Sequence, residues 1–174
     1  MIVVIVYWYT ICEYFTRLQI SKPNDMNTNS RIKETLIDLI KVNTQRLQGY
    51  AIALESLSFS SEELKNLFEQ KVENIYQHIQ DLRFQLRMLG GPSLEKTSVC
   101  SKIYSLWCDL KKSFEYDLSN FDVKKCFSAE EVVDTAYQTV LEDEEVDDYT
   151  IRQMLFNQRE YIKRDLFTMQ SQFA

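Results

Sequence analysis

Four glutamates and one histidine come nearest to a reaction centre in this chain. Glu55, Glu73, Glu130 and Glu160 fall on separate stretches of helical periodicity. Together they form a candidate all-oxygen metal site, because hard cations accept carboxylates alone. A helical bundle holds a pair of metal ions when each half gives a Glu and a Glu-x-x-His pair, whose three-residue step puts both ligands on one inward face. That set cannot be assembled here: the chain has one histidine, His78, and the residue three before it is Ile75. His78 lies one turn from Asn74 and Asp81 at the edge of an apolar stripe, where a surface or boundary histidine is the expectation. The neighbours of most of the glutamates read as exposed. No cofactor is therefore expected, with di-iron or di-manganese on these carboxylates as the alternative.

Other chemistry is sparser still. The acidic run Glu142, Asp143, Glu144, Glu145, Asp147 and Asp148 has no glycine turn and no Asp-x-Asp alternation, so it reads as a solvated loop rather than a calcium site. No Gly-x-Ser-x-Gly elbow or phosphate-cradling glycine loop is present, and a Ser or Cys nucleophile would have only His78 to assist it. No catalytic residue is expected. Asn43 and Gln158 fall inside apolar stripes, which predicts amides hydrogen-bonded across the core to fix helix register.

The elements that must position these residues are helices. Gly90, Gly91 and Pro92 sit together in a chain whose other glycine and proline are Gly49 and Pro23, so long helical segments fold back at that point. Leu36, Ile40, Leu47, Tyr50, Leu54 and Leu57 mark a first helix over 32–57 with Ser30 as cap. Ser60 and Glu63 make a capping box for a second, striped by Leu64, Leu67, Phe68, Val72, Ile75, Ile79, Leu82, Leu86 and Leu89. A third opens at Thr97 or Ser98 and carries Val99, Ile103, Leu106, Leu110 and Phe114. Ser128 and Glu131 predict a short fourth, and Ile151, Met154, Leu155, Ile162, Leu166, Met169 and Phe173 a long last one. The fold class is thus all-α: an antiparallel four-helix bundle in which the third and fourth helices share one split position.

The length of 174 residues and 45% apolar content suit one core. A formal net charge of -6 opposes nucleic acid as a partner, and the pairs Lys111, Lys112 and Lys124, Lys125 read as solvated helix ends. Cys12, Cys100, Cys108 and Cys126 lack zinc-knuckle spacing and disulfide-scaffold density, which favours reduced thiols and a cytoplasmic setting. Residues 1–25 are a separate apolar extension. Met1 to Cys12 is too short to span a bilayer, which needs about 20 apolar residues, and lengthening it to Ile20 would bury Glu13 and Arg17. The favoured reading starts the protein at Met26, giving a bundle domain over 26–174. A membrane anchor, if residues 1–20 are translated and retained, is the alternative.

LIDLIKVNTQRLQGYAIAL, LRMLGGPS, SKIYSLWCDLK and KCFSAEEVVDTAYQTVL, with IRQMLFNQ as well, carry a family likeness. On these stretches the chain, from Glu34 to Met169, resembles the bacterial ferritin-like four-helix-bundle family of unknown function of the DUF2383 type. The likeness implies a ferritin-like fold and a stress-related or structural role without an assigned reaction. The chain departs from the family pattern at Ala51, where Glu is common after the Gly-Tyr pair, and at Phe127 and Ala129 beside the retained Cys126, Glu130 and Glu131. Leu166 stands near the place of a last-helix histidine. Intact stripes beside an incomplete ligand set predict a non-enzymatic, metal-free bundle acting as a homo-oligomer, a dimer, or with a protein partner. The alternative is a carboxylate-bridged di-metal oxidase or iron-handling protein.

Overall fold

The computed structural model describes residues 25–56, 62–91 and 123–173. They form four helices: α1 (Asp25–Ser56), α2 (Glu62–Met88), α3 (Val123–Leu141) and α4 (Tyr149–Phe173). α1 packs on α2 and α3, and α4 packs on α3 and α2. Contacts between residues give the directions. Asn43 meets Tyr137 while Arg46 meets Glu130, so α1 and α3 run antiparallel. Lys71 meets Asp165 while Asn74 meets Tyr161, so α2 and α4 do too. Arg46 shares Glu130 with Lys71 while Tyr50 stacks edge-on with Phe68, which makes α1 and α2 a third antiparallel pair. It follows that α2 and α3 point the same way.

The core is a single apolar cluster with contributions from all four helices, including Leu36, Phe68, Ile75, Leu82, Val133, Leu155, Ile162 and Met169. On α1 the buried face is centred on Leu36, Leu39, Asn43, Arg46, Tyr50 and Ala53. Leu47 and Leu54, expected at its centre, are half-buried at its edge, because α1 has two neighbours to face. None of the four helices is long and apolar enough to cross a membrane.

Two helix starts differ from expectation for one reason. α1 begins at Asp25, so Ser30 is an exposed residue inside it, and α3 begins at Val123, so Ser128 lies in its second turn. The Ser128 hydroxyl donates to the Lys124 carbonyl, as hydroxyls inside helices do, instead of capping a terminus. α3 is therefore five residues longer at its start than its capping box suggested. The Ser60 cap, the third expected helix over 97–116 and the extension before Asp25 lie outside the described residues.

Loop chemistry does hold at the other ends. Asp148 accepts from the Ile151 amide at 2.9 Å and caps α4. Arg152 donates to the carbonyls of Leu141, Asp143 and Val146, closing the C-terminal end of α3. At the end of α2, Gly90 takes φ +66° while its amide bonds Arg87 and that of Gly91 bonds Leu86, the paired closure of a Schellman turn. A Cβ on Gly90 would meet nothing within 4 Å, so Gly90→Ala should cost only the left-handed backbone penalty, about 1–2 kcal/mol. A urea midpoint unchanged by that substitution would contradict the assignment.

Candidate functional site

Each helix contributes a charged residue to one interior cluster: Arg46 on α1, Lys71 on α2, Glu130 on α3 and Asp165 on α4; a second buried charge on α1, Asp38, pairs with Lys41 outside it. On α2, for example, Lys71 lies between buried Phe68 and Ile75, and on α4 Asp165 lies between Ile162 and Met169. Because the helices pack with these positions level, the four charges meet in the interior. Arg46 grips Glu130 with both ends of its fork, Nε to Oε1 at 2.7 Å and Nη2 to Oε2 at 2.6 Å. Lys71 stands 3.7 Å from the same Oε2 and 2.5 Å from Asp165 Oδ2. Its ammonium also lies over the Tyr50 ring, 5.2 Å from the centroid. Side chains of Arg46, Lys71 and Glu130 are no more than 1% exposed.

Two positive and two negative charges balance, and each carboxylate is held by a cation. Burial alone pushes the Glu130 carboxyl up, but Arg46 and Lys71 outweigh it and hold the group at about 2. Burial pulls the Arg46 guanidinium down, and Glu130 more than reverses this. Tyr50 is pushed far up, first by burial and then by the Glu130 charge, so its phenol stays protonated.

Further along the bundle a hydrogen-bonded relay joins all four helices. Asn43 Nδ2 donates to the Tyr137 hydroxyl at 2.9 Å, and that hydroxyl donates to Gln158 Oε1 at 2.8 Å. Gln158 Nε2 in turn reaches the His78 carbonyl and Asp81 Oδ2, each at 3.4 Å. The two amides do cross-link the core, as their place in apolar stripes predicts, and Tyr137 is the link between them. Tyr137→Phe would strand buried partners on both sides, and should lower stability by about 1–3 kcal/mol in chemical denaturation.

His78 is not a boundary residue. It is 8% exposed, because Tyr161 of α4 packs edge-on against its ring at 5.6 Å. Burial, with the Arg46 charge second, lowers its pKa to about 3. Its Nδ1 has no hydrogen-bond partner among the described residues.

Of the four candidate glutamates only Glu130 is interior. Glu55, Glu73 and Glu160 are exposed, Glu160 in an ion pair with Lys163, and the structure does not bring the four together. Among the described residues no group of three or more His, Cys, Asp and Glu is placed to share a metal ion. The residues that do converge do not fit a dication, since Arg46 takes both Glu130 oxygens and the Lys71 ammonium stands beside one of them. Ala51 is exposed, Phe127 and Ala129 are buried, and Leu166 is half-buried. Cys126 is a buried thiol.

Arg46, Lys71 and Asp165 escape a search for ligands or for apolar stripes. The signal that finds them is a charge on the three-and-four step of each helix, of a sign balanced across the four helices.

No curated protein and no solved structure matches the chain. The family model described as a domain of unknown function (DUF2383) covers residues 31–143, from the first helix through the third, taking in Arg46, Lys71 and Glu130, and the chain belongs to that family.

Proposed function

We propose that this chain is a non-enzymatic, ferritin-like helical bundle that works by association, with a copy of itself or with another protein. The observation that carries the reading is the balanced charge quartet: where a metal-bearing bundle gathers ligands, this one gathers two ion pairs. The helix directions support the ferritin-like part, because a bundle whose second and third helices point the same way has that topology. A stress-related or structural role and a cytoplasmic setting complete the proposal, resting on the family likeness and on cysteines without a pairing pattern.

Elemental analysis tests the metal-free part directly. The full chain, incubated with ferrous or manganous ion and desalted, should retain well below one equivalent. Retention near two equivalents, lost in Glu130→Gln, would overturn the reading in favour of a carboxylate-bridged centre.

A further inference from the structure

The outward face of α4 carries a pattern that the interior does not use. Gln153, Phe156, Glu160, Lys163, Phe167 and Gln170 follow one another in steps of three and four, and all six are exposed. The buried residues of this helix, Ile151, Leu155, Gln158, Ile162 and Met169, occupy the opposite side. Steps of three and four are those of a coiled-coil seam, whose rows drift round a straight helix slowly enough to stay in contact with a partner helix. Phe156 is 50% and Phe167 72% exposed, a large apolar area for a helix whose core face is already filled.

The order along this seam reads the same in mirror image. Phe156 and Phe167 are equidistant from a point between Tyr161 and Ile162, as are Glu160 and Lys163, and Gln153 and Gln170. Two α4 helices laid antiparallel about a two-fold axis through that point therefore set phenylalanine on phenylalanine, glutamate on lysine and glutamine on glutamine, each pair occurring twice. This is the self-complementarity that an isologous dimer requires. A parallel pairing would instead put Glu160 against Glu160 and Lys163 against Lys163. Within one chain Glu160 and Lys163 already lie 3.1 Å apart, so both charges are on the same surface and available to exchange partners.

We propose that the exposed seam of α4 is the self-association face, and that its occupant is α4 of a second copy in antiparallel, two-fold register. This deepens the association reading above and rests on it. The seam is narrow, so the dimer is of the weak, concentration-dependent kind.

Charge exchange tests the register. Sedimentation equilibrium of the full chain should show monomer and dimer in concentration-dependent balance. Glu160→Lys and Lys163→Glu should each weaken the dimer by about ten-fold or more, because like charges then face each other at two places. An equimolar mixture of the two variants should dimerise as well as the unaltered chain, since each supplies the charge the other lacks. Far-UV circular dichroism should be the same for all, because both positions are exposed. A dimer indifferent to both substitutions, or a mixture without rescue, would overturn the α4 register while leaving self-association standing. A chain monomeric at every concentration would overturn self-association as well, leaving the face to a different protein.

Discussion

Glu130→Gln should destabilise the fold by about 3–5 kcal/mol, the loss that follows when one partner of a buried ion pair is removed and the other stays behind. Arg46 is 1% exposed and has both ends of its fork on that carboxylate. Without it the guanidinium is left in the core beside Tyr50 and Tyr137, neither of which brings a compensating charge. Small domains are stable by about 5–15 kcal/mol in all, so urea unfolding should show a midpoint far below that of the unaltered chain. An exposed pair supplies the comparison. Lys65 and Glu69 lie 3.9 Å apart with both side chains about half exposed, and Lys65→Ala should change stability by no more than about 0.5 kcal/mol.

The double variant Arg46→Met with Glu130→Gln separates the value of the pair from the cost of breaking it. It removes one charge of each sign and leaves Lys71 with Asp165 at 2.5 Å. Replacing a buried pair by packed neutral groups is often near neutral, so the double variant should be more stable than Glu130→Gln alone. Non-additivity of that sign marks direct coupling. Two substitutions whose effects simply sum would contradict the described contact.

What the sequence discloses and what it conceals divide along physical lines. The end of α2 is legible because Gly90 and Gly91 act through local backbone geometry, and the course of α4 because Ile151, Leu155, Ile162 and Met169 keep a helical step along it. The amides Asn43 and Gln158 are legible because a polar residue on an apolar stripe must find a partner. Serine is ambiguous: the same hydroxyl that caps a terminus bonds its own helix when inside, as Ser128 does at Lys124 and Thr44 at Ile40. Arg46, Lys71 and Asp165 are concealed for a different reason. Each reads as part of a solvated face until the opposite charge on another helix is seen level with it, and that levelling is a property of packing. His78 is the same case in miniature, since Tyr161, far along the chain, packs against its ring.

His78 also dictates how the fold should respond to acid. Burial, reinforced by Arg46 and opposed by Glu130, lowers its pKa from 6.5 to about 3, so the folded protein declines a proton that the unfolded chain accepts. The unfolded state then binds more protons between those two values, and stability must fall as the pH drops through 6.5 toward 3. One proton corresponds to at most about 1.4 kcal/mol per pH unit. Glu130 has the same sign but a lower window. Its carboxyl titrates from 4.5 unfolded to about 2 folded, so its share is intact above 4.5 and is lost below. From pH 7 to pH 5 the slope therefore belongs to the histidine, and urea midpoints measured across that range should decline steadily. His78→Leu keeps an apolar side chain against Tyr161 and removes the titrating group, so its midpoint should be nearly flat over the same range. A decline of equal steepness in that variant would mean that another group carries the acid response and that the His78 ring is not held neutral by its surroundings.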